Sequence, residues 1–169
     1  MNIIFLDFDG VLRPYRYTEA CTKIWQDNPE CKTKDQYGYY FAPWCLDALN
    51  YIVAAGDAHI VFTTDWRKNG FEQIRELWIQ RGYRFPGKIL GQTPVLDNAI
   101  RGKEITAWLK NHKKKINSYV ILDDHTDMGK VHEGRFIPID AKFGLRMQHA
   151  NDAIQILNTR YKPIKEEDI

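Results

Sequence analysis

Short apolar runs alternate with amphipathic stretches along this chain, and each of the three strongest runs is closed by polar residues. Ile3-Ile4-Phe5-Leu6 reads as a strand buried on both faces of a parallel sheet, and it stops at Asp7-Phe8-Asp9-Gly10. His59-Ile60-Val61-Phe62 ends in Thr63-Thr64-Asp65-Trp66-Arg67, and Tyr119-Val120-Ile121-Leu122 ends in Asp123-Asp124-His125-Thr126-Asp127. Lys88-Ile89-Leu90 is a shorter candidate strand. Arg135-Phe136-Ile137-Pro138-Ile139 is another, predicted at a sheet edge because Pro138 cannot donate to a ladder.

Helical periodicity fills the intervals. Leu46, Leu49, Ile52 and Val53 share a face of a helix opened by Pro43 and stopped at Gly56. Phe71, Ile74, Leu77 and Trp78 predict a helix from Gly70 to Gln80 with Gly82 as its cap. Ile105, Trp108 and Leu109 mark one that starts at Arg101 and ends at Lys113-Lys114-Lys115, where positive charge suits the helix dipole. Ala150, Ala153, Ile154 and Leu157 mark the last, from Gln148 to Asn158.

This alternation predicts an α/β fold, a Rossmann-like three-layer α/β/α sandwich with a mostly parallel sheet. It makes one catalytic domain over residues 1–160, with residues 161–169 a charged, loose tail. Residues 15–40 carry Tyr15, Tyr17, Trp25, Tyr37, Tyr39 and Tyr40 but no sustained period. Two readings stand: a surface excursion with one short helix, or a flap or small lid over the strand-end carboxylates. The insertion is too short for a full cap domain.

Composition narrows the function classes. At 169 residues a second domain of ordinary size does not fit. A net charge of +2 argues against a wholesale nucleic-acid binder and leaves room for a local patch, such as Arg101, Lys103, Lys110 and Lys113 to Lys115 against Glu104. No apolar run approaches the roughly 20 residues that span a bilayer, so no membrane partner is expected. The first residues enter a strand at once, without the features of a signal peptide. Cys21, Cys31 and Cys45 lack metal-site spacing and fit reduced thiols, hence a cytoplasmic location. The oligomeric state is left open.

In parallel sheets ligands bind at the carboxyl ends of the strands. Here those ends carry Asp7 and Asp9, Thr63 and Thr64, and Asp123, Asp124 and Asp127. Clustered carboxylates repel and lose solvation unless they share a proton or a cation, and oxygen-only ligands suit Mg²⁺. With repulsion screened, Asp7 could attack phosphorus while Asp9, two residues on and on the same side if alternation persists, moves protons. Gly10 permits the sharp turn that follows. Arg67 has two readings, a fork that clamps phosphate or a surface partner of Asp65 or Glu72. Trp66 reads as packing, and His125 as solvated.

These residues resemble the haloacid dehalogenase superfamily of phosphohydrolases. Asp7-Phe8-Asp9-Gly10-Val11 is similar to its first motif, Thr63 to the second, a cation at Arg101 or Lys103 to the third, and Asp123-Asp124 with Asp127 to the fourth. The resemblance implies Asp7 as nucleophile and metal ligand, and Asp9 as general acid/base and ligand through its carbonyl. It further implies Asp123 as the main second ligand, Asp124 or Asp127 as outer ligand or orienter, Thr63 or Thr64 on the phosphoryl oxygens, and Arg101 or Lys103 neutralising charge. Aspartate at position 9 points to phosphate-ester hydrolysis or transfer. Thr63-Thr64-Asp65-Trp66-Arg67, Arg101-Gly102-Lys103-Glu104-Ile105 and Phe143-Gly144-Leu145 are closest to the small domains of this type in Swiss Army Knife RNA repair proteins. The implied substrate is a nucleotide or nucleic-acid end; a small phosphorylated metabolite, or a non-enzymatic binding module, are the alternatives.

Overall fold

The computed structural model describes residues 1–81, 88–97, 100–112 and 115–165. The expected cap at Gly82, the loop residues Pro86 and Gly87, Lys113, Lys114 and the end of the tail from residue 166 lie outside the described residues.

β1 (Asn2–Leu6) is followed by α1 (Tyr15–Asp27), the hairpin β2 (Lys34–Asp35) and β3 (Gly38–Tyr39), and α2 (Pro43–Ala55). Then come β4 (Ala58–Phe62), α3 (Phe71–Gln80), β5 (Ile89–Gln92), α4 (Arg101–Asn111), β6 (Ser118–Asp123), β7 (Phe136–Pro138) and α5 (Met147–Leu157). The main sheet has five strands in the order β5-β4-β1-β6-β7, and every pairing is parallel. β1 is central, with Leu6 in register beside Phe62 on one side and Leu122 on the other. Pro138 sits on the edge strand, as its missing N–H requires. No helix among the described residues is long and apolar enough to cross a membrane.

Strand alternation sends the two halves of β1 into separate cores. Ile4 and Leu6 pack with residues of α2, α3 and α5, whereas Ile3 and Phe5 pack with Ile105, Trp108 and Leu109 of α4. The second core also takes in Tyr161 and Ile164, so the segment after α5 is docked as far as residue 164 where a loose tail was expected. Its charged residues hid two apolar anchors, and the backbone N–H of Tyr161 donates to the Asn117 carbonyl.

The insertion is more ordered than its sequence pattern implied. α1 buries only Cys21 fully, so it has no broad apolar stripe to betray a helix. The β2-β3 hairpin is tied to the end of α3 by Arg81, which forks onto Asp35 and donates to the Gly38 carbonyl at 3.2 Å, and the Tyr37 hydroxyl donates to Glu76 at 3.1 Å.

Two devices aim the strand ends. Phe8, between Asp7 and Asp9, is buried and stacked on Trp78 at 5.3 Å between ring centroids, with Phe41 and Phe62 completing the cluster. Burying such a ring is worth about 1.5–3 kcal/mol, which anchors the loop between the two carboxylates. On the other face His132 joins α4 to β6: the Tyr119 hydroxyl donates to Nδ1 at 2.9 Å, and Nε2 lies 2.9 Å from the Gly102 carbonyl. That pattern assigns the neutral tautomer protonated at Nε2, and burial lowers the imidazole pKa in agreement.

Gly102 also sets how closely α4 approaches the loop after β6, because a Cβ there would lie 1.9 Å from the Met128 carbonyl oxygen, far inside van der Waals range. Gly102→Ala should therefore destabilise the protein by about 1–3 kcal/mol or more by overpacking, measured by urea denaturation, with unfolding cooperativity retained. A neutral result would show that the loop gives way freely.

Candidate active site

The carboxyl ends of β1 and β6 place Asp7 and Asp123 side by side under the half-buried Asp124. One oxygen from each lies within 4.8 Å of the others. Asp123 is fully buried and Asp7 nearly so. The adjacency follows from register, since Asp7 and Asp123 each continue a strand past the paired Leu6 and Leu122, and the Asp7 N–H donates to the Leu122 carbonyl at 3.2 Å.

The electrostatics are those of charges removed from water. Burial, only partly offset by Arg101, raises the Asp7 pKa above the ordinary carboxylate value. Burial and then the Asp7 charge push Asp123 up to about 7. Burial likewise raises Asp124. Asp123 Oδ1 accepts from the His125 N–H at 2.9 Å, while its Oδ2 has no hydrogen-bond donor. A buried acceptor without a hydrogen bond, 3.4 Å from Arg101 Nε and beside two more carboxylates, fits a hard cation such as Mg²⁺.

Arg101, at the start of α4, supplies the positive charge: Nε lies 3.4 Å from Asp123 and Nη2 lies 3.9 Å from Asp7. Burial opposes its charge, but Asp123 and Asp7 outweigh that and raise its pKa further. Lys103 is exposed and lines, with Lys110 and Lys130, a cavity of about 590 Å³ beside α4, so of the two cations expected here Arg101 is the one that reaches the carboxylates. Asp127 stands apart from the cluster. Its carboxylate caps α4 by accepting the Arg101 N–H at 3.0 Å, so it holds the start of the helix that carries Arg101.

The two threonines divide their work. The Thr64 hydroxyl lies next to Asp7, where it favours the charged carboxylate, and it accepts from the Trp66 N–H. Thr63 is completely buried and its hydroxyl has no partner, as is also true of Arg101 Nη1. Buried donors without acceptors beside a carboxylate cluster are suited to anionic oxygens.

Arg67 does not face the carboxylates. It is buried, paired with Glu104 of α4, and donates to the carbonyls of Thr63 and Thr64. Nη1 also lies 3.5 Å from Asp65, the partner named by the second reading, although Arg67 itself is buried and not at the surface. Its fork thus braces the turn that carries the threonines, and the phosphate-clamp reading gives way to this structural one. Glu104 was missed as its partner because a glutamate in a basic helix start reads as a solvated charge.

Asp9 departs from strict alternation. The chain turns sharply after Phe8, whose carbonyl accepts from the N–H groups of Leu12 at 2.8 Å and Arg13 at 3.1 Å. Asp9 is left half-exposed outside the three-carboxylate cluster. Arg13 grips one of its oxygens through Nε at 2.8 Å, and the Trp66 indole N–H donates to the other at 3.1 Å. Trp66, read as packing, is therefore a partner of the second aspartate. Gly10 has φ 74° and no room for a side chain, since a Cβ would lie 2.5 Å from Asp124 Oδ2.

A parallel sheet with carboxylates at adjacent strand ends, hydroxyls at the next and a cation from a following helix defines a haloacid dehalogenase-like domain. The family model for the HAD domain in Swiss Army Knife RNA repair proteins matches residues 3–150, and the chain belongs to that family. No curated protein and no solved structure matches it.

Two consequences can be measured. Arg67→Ala strands Glu104 in the interior and should cost about 3–5 kcal/mol in a denaturant titration; a loss under about 1 kcal/mol would mean that Glu104 finds solvent. Millimolar Mg²⁺ should raise the melting temperature of the native chain, by linkage worth about 2.7 kcal/mol at a hundredfold excess over Kd. Asp123→Asn should abolish that rise without lowering the melting temperature in chelator.

Proposed function

We propose that the protein is a phosphomonoesterase that works through an aspartyl-phosphate on Asp7, with a nucleotide or nucleic-acid end as substrate. The observation that carries this reading is the meeting of Asp7, Asp123, Asp124 and Arg101 at one point, with the buried Thr63 hydroxyl and Arg101 Nη1 left free for phosphoryl oxygens. Mg²⁺ held by Asp7, Asp123 and Asp124 would neutralise charge on the phosphoryl group.

In this reading an Asp7 oxygen forms a bond to phosphorus as the bond to the ester oxygen breaks, and the Asp9 carboxyl gives that oxygen its proton. Asp9 then takes a proton from water as the water oxygen attacks phosphorus, returning the Asp7 carboxylate and inorganic phosphate. Arg101 and the threonine hydroxyl stabilise the equatorial oxygens in both steps. Arg13 and Trp66 hold the Asp9 carboxyl in place.

The experiment is a Mg²⁺-dependent panel of 3′- and 5′-nucleotides, end-phosphorylated DNA and RNA, sugar phosphates and an aryl phosphate. Turnover on nucleotides or oligonucleotides, lost by at least about 10³-fold in Asp7→Asn, supports the reading; no turnover on any of them overturns it, and turnover confined to sugar phosphates overturns the substrate. Trp66→Phe should slow an alkyl phosphate, whose leaving oxygen needs the acid, by about tenfold or more, and p-nitrophenyl phosphate by less than about threefold. Equal losses on both would make Trp66 a purely structural residue.

A further inference from the structure

Three cations converge on a single ring beside the candidate site. The guanidinium of Arg16 lies 5.0 Å from the centroid of Phe143, that of Arg146 5.4 Å, and the ammonium of Lys142 5.7 Å. Like charges this close repel, and among the described residues none of the three charged groups has a carboxylate within 4 Å, although Glu19 and Asp47 lie on α1 and α2 and Asp140 accepts the Lys142 backbone N–H at 2.9 Å. Ion pairing within the fold therefore does not account for the cluster.

The surroundings are aromatic. Trp44 of α2 is 43 % exposed, and its indole N–H donates to the Phe143 carbonyl at 3.2 Å. Tyr17 packs edge-on against Trp44, and Tyr15 is 59 % exposed. The group is fastened to the rim of the site: the N–H groups of Tyr15 and Arg16 donate to the carbonyls of Ala141 and Lys142, and Leu145 donates to the Val11 carbonyl. Ala141 adjoins Gly10, over which Asp124 sits.

We propose that Arg16, Lys142, Phe143 and Arg146, with Trp44 and Tyr15, form a landing surface for single-stranded polynucleotide whose terminal phosphate enters the site. The inference rests on the phosphomonoesterase reading and assigns the part of the substrate that lies outside the reacting phosphate. The cations gathered over the half-buried Phe143 match phosphates, the exposed rings of Trp44 and Tyr15 match unstacked bases, and ring faces are indifferent to base identity. A duplex would present its bases already stacked and offer those rings nothing.

The test uses the full chain. Arg16→Glu/Lys142→Glu should lower kcat/KM for an end-phosphorylated decanucleotide at least about tenfold and reduce the slope of log kcat/KM against log salt by about two, one for each phosphate that is no longer neutralised. It should leave p-nitrophenyl phosphate turnover within about twofold. Phe143→Leu, which keeps the apolar bulk, should show the same selective loss without the change in salt slope. Equal losses on both substrates, or none, overturn the proposal. A second arm measures binding of the fluorescent decanucleotide by Asp7→Asn protein, so the surface is tested even if no ester is hydrolysed. Tenfold weakening by the double charge reversal supports the surface, and unchanged binding, or displacement by polyglutamate as effective as by oligonucleotide, overturns it.

Discussion

Everything at the carboxyl edge of this sheet answers to one constraint, the placing of Asp7 and Asp123 beside each other away from water. Burial makes ionisation of both harder, and the Asp7 charge adds to the effect at Asp123. The fold supplies partial relief: Arg101 reaches both, and the His125 N–H satisfies one oxygen of Asp123. The remaining imbalance suits the three-carboxylate cluster to a cation.

The scaffold around that pair is correspondingly rigid. β1 is buried on both faces, the Phe8 ring is clamped by Trp78, and α4 is seated by His132 and by the close approach at Gly102. Precision in the site is thus produced by apolar packing and neutral hydrogen bonds that carry none of the chemistry.

The succession of strands was legible because buried parallel strands leave continuous apolar runs, and the polar residues that close them stand out by contrast. Asp7, Asp123, Asp124 and Arg101 meet where those run ends predicted. What lay hidden depended on side-chain reach across elements. Nothing local to Trp66 says that its indole will find Asp9, 57 residues away, and nothing local to Arg67 says that it will turn inward to Glu104. α1 escaped for another reason, its mainly exposed surface lacking the stripe by which a helix is recognised. The one available signal was proximity in pattern: a cation just past one strand end and a lone anion at the start of the next helix but one.

Arg101 and Glu104 are three residues apart on α4 and so share a face. One holds a positive charge against Asp7; the other, through Arg67, steadies the short turn from which Trp66 reaches Asp9. A single helix is therefore tied to the surroundings of both aspartates that follow β1. Rolling α4 by a fraction of a turn would loosen both ties at once, so the settings of Asp7 and Asp9 rest on one mechanical support.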